Sequence, residues 1–139
     1  MAEGIMKDLT KKSGMEDKVY ISSAGTGVNL SLPASDNAVL ALQEIDIDIS
    51  GHLSRPLNRQ LLEDSDLVLG MTGAHKSHIL KIMPEAEVKT FTLIEYATDN
   101  KTGDIEDPYF MDLDTYIDVR DELMRYLKIV AEKIKDSEK

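Results

Sequence analysis

The residues with the clearest chemical potential lie in the acidic stretch 103–110, which reads Gly-Asp-Ile-Glu-Asp-Pro-Tyr-Phe. Within this stretch Asp107 directly precedes Pro108. Proline fixes its own φ angle and pushes the preceding residue into extended conformations, so Asp107 lies on rigid backbone. A carboxyl group held in this way can protonate a leaving group, although a lone aspartate at such a position more often serves a turn or a helix start. The pattern makes Asp107 the candidate general acid.

An acid of this kind works beside a nucleophile, and the sequence offers no obvious one. The short run 25–27 (Gly-Thr-Gly) fits neither the dinucleotide-binding nor the P-loop pattern. The 139 residues contain no cysteine, which excludes thiolate chemistry, disulfides and cysteine-based metal sites within them. His75 and His78 lie one helical turn apart without a third ligand, and the carboxylates near Asp107 do not match a calcium loop. We therefore predict neither a metal nor a cofactor.

Length and charge narrow the class of protein. A chain of 139 residues is long enough for one core and too short for two, which predicts a single domain over residues 1–139. A formal net charge of −10 argues against nucleic acid or an anionic membrane as the main partner. The absence of a long apolar run and of a basic-then-apolar N-terminus predicts a cytoplasmic location.

Hydrophobic periodicity predicts alternating helices and strands. The helices are expected over residues 1–12, 38–45, 59–62, 74–83 and 113–134, and the strands over residues 19–23, 67–71 and 88–93. Residues 46–54 alternate aspartate with isoleucine, which fits a strand or a loop. The alternation indicates an α/β fold with a small parallel sheet, in which ligands gather at the carboxyl ends of the strands.

Several short segments, taken in chain order, resemble the low-molecular-weight protein tyrosine phosphatase family, whose fold related arginine phosphatases and arsenate reductases also use. They are residues 1–5 (Met-Ala-Glu-Gly-Ile), 22–26 (Ser-Ser-Ala-Gly-Thr), 33–35 (Pro-Ala-Ser), 47–52 (Ile-Asp-Ile-Ser-Gly-His), 74–76 (Ala-His-Lys), 91–96 (Phe-Thr-Leu-Ile-Glu-Tyr) and 107–109 (Asp-Pro-Tyr). The resemblance covers essentially the whole chain. It implies a three-layer α/β/α fold of the phosphotyrosine phosphatase I-like type and a loop conformation for residues 46–54.

The departure from the family lies at the start of the chain. Family members begin with an apolar strand and a C-x(5)-R loop, and this sequence starts at the segment that follows them. The resemblance therefore implies that the first strand, the nucleophilic cysteine and the phosphate-clamping arginine are missing, so that these 139 residues are inactive. Either the reading frame was started at an internal methionine or the chain is a truncated paralogue. We expect the two strands that would border the missing one, residues 19–23 and 67–71, to pair directly or through exchange with another copy.

The resemblance also implies roles for individual residues. Asp107 would be the general acid, with Tyr109 and Phe110 forming an aromatic wall beside the substrate. Ser23 and His52 match positions that hydrogen-bond around the phosphate loop. For the aromatic residues the alternative is core packing, and for His52 a structural hydrogen bond.

Asn29 is the candidate substrate contact at which the sequence leaves the tyrosine phosphatase pattern. It occupies a position where many relatives carry an aromatic residue, which disfavours phosphotyrosine as the substrate.

Three functions follow as hypotheses. The first is the family reaction, hydrolysis of phosphotyrosine through a phosphocysteine intermediate, with a phosphorylated protein or a small phosphomonoester as the partner of the full-length form. The second is the protein arginine phosphatase branch. The third is a non-catalytic binding, regulatory or dimerising module that forms homo-oligomers through exposed strand edges. Arsenate reduction is disfavoured because it requires additional cysteines.

Overall fold

A computed structural model describes residues 1–138 of the chain. In chain order the elements are α1 (Ala2–Lys12), α2 (Asp36–Gln43), α3 (Arg59–Asp64), β1 (Val68–Gly70), α4 (Gly73–Ile82), a 3-10 helix (Pro84–Lys89), β2 (Thr90–Thr92), α5 (Leu93–Thr98) and α6 (Leu113–Ser137). Helices and strands alternate through the second half of the chain, and this confirms the predicted α/β class.

The sheet consists of two parallel strands within the described residues. β1 pairs with β2 so that Val68 lies opposite Thr90 and Gly70 lies opposite Thr92. The continuous apolar run 67–71 predicted β1, and the structure confirms it. α4 and α5 both contact the two strands, which places helices against this small parallel sheet.

The predicted strand at residues 19–23 is wrong. The segment forms no ladder: the Val19 N–H donates to the Met15 carbonyl, and the Ser23 carbonyl accepts a hydrogen bond from Arg55 Nε instead. A β-rich sequence becomes a strand only where a neighbouring strand offers matching donors and acceptors. For the same reason the expected direct pairing of residues 19–23 with β1 does not occur, because β1 has β2 as its strand neighbour among residues 1–138.

The predicted strand over 88–93 is shorter in the structure and is flanked by two helices that we did not predict. Pro84 begins a 3-10 helix that takes up Val88 and Lys89, because the fixed φ of proline suits a first helical position. Thr92 ends β2 and caps α5 by accepting a hydrogen bond from the Glu95 N–H. The strand is thereby limited to residues 90–92.

The other predicted helices agree with the structure to within a few residues. Ser35 caps α2 and Asn58 caps α3 through their side-chain oxygens, and both are residue types that favour helix starts. Gly14 has a φ of 75° immediately after α1, a left-handed conformation that ends the helix without steric cost. Residues 46–54 form a loop, as the resemblance implied.

One hydrophobic core joins the helices. The 25-residue α6 packs against α1, α2 and α5 and supplies the largest share of buried side chains from any element. The buried core residues outside α6 include Ile5, Ala41, Leu42, Ile47, Ile49, Leu93, Ala97 and Ile105. α6 thus ties the N-terminal half of the chain to the half that carries the sheet.

Candidate functional site

The loop that carries Asp107 is fixed at the carboxyl end of β1. The Ile105 N–H donates to the Met71 carbonyl at 2.8 Å, and Ile105 is buried. Asp104 Oδ1 accepts a hydrogen bond from the Gly73 N–H at 2.9 Å, at the N-terminus of α4. These two contacts place the loop where parallel sheets usually bind their ligands.

Asp107 itself is exposed and its carboxylate is oriented by its own turn. Its Oδ1 accepts a hydrogen bond from the Tyr109 N–H at 3.0 Å. Pro108, which restricts the backbone of Asp107, is buried. The carboxylate is therefore accessible to a substrate while its backbone is held, which are the two geometric requirements of a general acid.

Tyr109 and Phe110 do not pack into the core, so the core-packing alternative is wrong. Their side chains are 56% and 89% exposed, and their ring centroids are 4.1 Å apart. Phe110 has a φ of 68°, which is uncommon for a bulky residue. The two rings together form an exposed aromatic surface next to Asp107.

Ser23 and His52 meet at Glu3, a residue whose role the sequence reasoning missed. Ser23 Oγ donates to Glu3 Oε1 at 2.9 Å, and His52 Nδ1 lies 3.4 Å from Glu3 Oε2. Lys7, one turn further along α1, forms an ion pair with Glu3 at 3.0 Å. The 3-to-7 spacing of opposite charges on α1 was the available sequence signal, although it predicts only an exposed helix pair.

The surroundings of Glu3 favour its charged form. Burial alone would raise the pKa of Glu3, but hydrogen bonds from Lys7 and Ser23 and the nearby charges of Lys7 and His52 outweigh it and lower that pKa. Arg55, also missed, binds the Ser23 carbonyl through Nε at 3.1 Å. These residues line an open depression of about 440 Å³.

Asn29 makes no hydrogen bond or ion pair with either group within the described residues. It is exposed in the loop before Leu30, whose carbonyl accepts a hydrogen bond from Ser54 Oγ. Within residues 1–138, no hydrogen bond or ion pair joins Asp107 to Ser23, His52 or Asn29. The structure therefore brings together two pairs of predicted site residues, Tyr109 with Phe110 and Ser23 with His52.

Among the described residues, no group of three or more histidine, aspartate or glutamate side chains is arranged to hold a metal ion. In that same part of the chain, none of the helices has the length and apolar character needed to cross a membrane.

Comparison with known proteins decides the family. The family model described as low molecular weight phosphotyrosine protein phosphatase matches residues 1–139. The chain belongs to this family.

Its relatives carry two names. The chain is 38% identical to a protein-arginine-phosphatase of Bacillus subtilis over 97% of this chain and 87% of that protein. It is 37% identical to the low molecular weight protein-tyrosine-phosphatase Ptp of Acinetobacter johnsonii over 66% of this chain and 62% of that protein. A crystal structure of a YwlE mutant from Bacillus subtilis superposes with a TM-score of 0.90 at 37% identity, covering 96% of this chain and 88% of that one. These findings confirm the predicted family and fold.

Proposed function

We propose that this chain supplies the general acid and the substrate-facing surface of a low-molecular-weight protein phosphatase, with Asp107 as the acid. The observation that supports the proposal is the placement of Asp107 on a loop held at the carboxyl end of β1, with its carboxylate exposed. A proton donor must reach the leaving oxygen while its own backbone stays fixed. Membership of the phosphatase family supports the assignment of this carboxyl group as the proton donor to a leaving oxygen.

The other site residues have supporting roles in this proposal. Tyr109 and Phe110 line the approach to Asp107. Ser23 and His52 are supporting residues joined by Glu3, which accepts a hydrogen bond from Ser23 and lies 3.4 Å from His52 Nδ1, beside an open depression. In the family reaction a thiolate attacks phosphorus, the bond to the leaving oxygen breaks and Asp107 protonates that oxygen. The partner would be a phosphorylated protein, in the cytoplasm.

The 139 residues contain no thiol, so we expect them to be inactive on their own. Without an attacking sulfur no phosphocysteine intermediate can form, and loss of the nucleophile from such a unit removes nearly all of the rate. Incubation of the purified chain with p-nitrophenyl phosphate tests this, and the expected release of p-nitrophenol equals that of the protein-free blank.

Two variants identify the source of any turnover that is observed. Asp107→Asn removes the proposed acid, and Asp17→Asn removes an exposed carboxylate outside the site. Turnover by the wild-type chain that persists in Asp17→Asn and falls about a hundredfold or more in Asp107→Asn would contradict inactivity and support the role of Asp107. Turnover that is equal in all three proteins would indicate a contaminating phosphatase.

The choice between phosphotyrosine and phosphoarginine depends in part on Asn29. Both names occur among the relatives, and an asparagine offers a phosphotyrosine ring no stacking surface. We expect Asn29→Trp to increase binding of a phosphotyrosine peptide by about fivefold, since an aromatic pair contributes about 1 kcal/mol. Binding of a phosphoarginine peptide serves as the control and should change less. Equal changes for both peptides would contradict a selective role for this position.

A binding role is the second candidate function. The exposed, adjacent rings of Tyr109 and Phe110 favour it, because they form an apolar surface that needs no thiol in order to bind a partner.

A further inference from the structure

Three consecutive apolar side chains project from the loop that precedes α6. Tyr109, Phe110 and Met111 are 56%, 89% and 47% exposed, and we call residues 109–111 the aromatic tip. Single exposed apolar side chains are common on protein surfaces, but adjacent ones that form a continuous patch mark interaction sites. The ring centroids of Tyr109 and Phe110 are 4.1 Å apart, so the two aromatic side chains form one continuous surface.

The aromatic tip is held in place from both sides. The Met111 N–H donates to the Pro108 carbonyl at 2.8 Å, and Asn37 Nδ2 donates to the Met111 carbonyl at 3.2 Å. Asp112 then caps α6 through the Thr115 N–H. Phe110 is thus kept exposed on a left-handed backbone, which a non-glycine residue adopts only at a steric cost. Unfavourable backbone at an exposed aromatic residue is typical of a ligand-binding segment.

The charged residues that flank the aromatic tip in the sequence have one sign. The whole chain contains 16 lysine and arginine residues, yet none lies between residues 103 and 114. That stretch instead carries five exposed carboxylates: Asp104, Glu106, Asp107, Asp112 and Asp114. Such a field repels acidic partners and attracts lysine and arginine, and exposed aromatic faces also bind guanidinium groups.

We propose that the aromatic tip is the docking site of a basic polypeptide segment in which arginine or lysine side chains flank an apolar residue. The apolar residue packs on the tip, and the basic side chains pair with the carboxylates around it. This proposal rests on the binding role given above as the second candidate, and it does not require catalysis. Its failure in a binding assay is therefore separate from the outcome of the p-nitrophenyl phosphate assay.

The test uses a short fluorescein-labelled peptide that alternates arginine with leucine, followed by fluorescence anisotropy. The expected result is saturable binding that weakens as salt is added, and no binding by the same peptide with glutamate in place of arginine. Phe110→Ser should weaken binding about tenfold, which corresponds to about 1.4 kcal/mol. The double variant Glu106→Gln with Asp114→Asn should weaken binding and flatten its salt dependence.

Matched variants elsewhere on the surface provide the controls. Val88 is 88% exposed on the 3-10 helix, so Val88→Ser removes an equally exposed apolar side chain away from the tip. Asp17→Asn removes an exposed charge outside residues 103–114. Both control variants should bind the peptide as the wild type does. Tyr109→Ser serves as a second tip variant and should weaken binding. Circular dichroism should show that every variant is folded. The proposal is overturned if the glutamate peptide binds equally, if the arginine peptide does not bind, or if the tip variants bind like Val88→Ser.

Discussion

Glu3 gathers contacts from parts of the chain that are far apart in the sequence. Ser23 and His52 both reach its carboxylate, from 20 residues away in the case of Ser23. The sequence allowed Ser23 and His52 to be predicted as site residues through family resemblance, but it could not show that a glutamate in α1 joins them. Contacts of this range depend on how the loop 46–54 folds back onto α1, which no local pattern encodes.

The first prediction concerns the charge of Glu3. Its pKa is lowered in the folded state, so Glu3 stabilises the fold above its ordinary pKa of 4.5 and this contribution is lost as the pH falls through the folded-state value. We expect Glu3→Gln to reduce the free energy of unfolding by about 0.5–1 kcal/mol at pH 7. At pH 3 the difference should shrink, because the wild-type carboxyl takes up a proton.

Urea denaturation at both pH values measures this effect. Ser23→Ala, which removes one of the hydrogen bonds to Glu3, should give an intermediate loss at pH 7. A difference between wild type and Glu3→Gln that grows as the pH is lowered would contradict the prediction.

The backbone of Phe110 gives a second prediction at the residue scale. Glycine adopts a φ of 68° without the steric cost that a Cβ atom imposes, although it loses more entropy on folding. We expect Phe110→Gly to be more stable than Phe110→Ala by about 0.5–1 kcal/mol. Both variants lose the exposed ring, so their comparison in urea isolates the backbone effect, and a less stable glycine variant would argue against it.

The elements differ in how well local sequence predicted them. α2 and α3 were predicted from their hydrophobic periodicity, and the structure adds that Ser35 and Asn58, residue types that favour helix starts, cap them. α5 was missed although Thr92 and Glu95 have the spacing of a capping box, because it follows β2 without a loop and its first residue, Leu93, was taken as the end of the strand. The strand at residues 19–23 was wrong because strand formation depends on a neighbour that a local pattern does not reveal.

The packing of α1 gives a prediction at the scale of elements. A Cβ atom on Gly4 would lie 2.6 Å from Cγ2 of Ile49. Ile49 is buried and β-branched, so its side chain has little freedom to move away. Glycine therefore lets the loop 46–54 approach the helix. We expect Gly4→Ala to destabilise the fold by about 1–3 kcal/mol through overpacking, more than the gain of about 1 kcal/mol in helix propensity.

A glycine from the same loop provides the comparison. A Cβ atom on Gly51 would meet nothing within 4 Å, so Gly51→Ala should change the free energy of unfolding by less than about 0.5 kcal/mol. Urea denaturation compares the two variants, and a stabilised Gly4→Ala would show that Ile49 moves aside without cost.

At the scale of the whole molecule, the small sheet and the net charge have opposite effects on association between copies of the chain. Within residues 1–138, β1 has a strand neighbour on one side, and an unpaired strand edge favours association with another copy. The net charge of −10 opposes that association. We expect the average mass in sedimentation to rise with protein concentration and with salt, because salt screens the repulsion.

This salt dependence has the opposite sign to that expected for the basic peptide, so the two kinds of association can be told apart in one buffer series. A monomer at every concentration and salt level would contradict association through strand edges. It would leave the docking proposal for the aromatic tip unaffected.

The direct junction between the aromatic tip and α6 has a kinetic consequence. Only Asp112 separates Met111 from α6, a helix of 25 residues that packs on three other helices. The aromatic tip therefore has no flexible linker that could rearrange when a partner binds. Encounter should then be a single step, with an observed rate that rises linearly with partner concentration and shows no plateau. Stopped-flow mixing measures this rate. A second phase whose rate does not depend on partner concentration would indicate that the loop moves on binding and would contradict the single step.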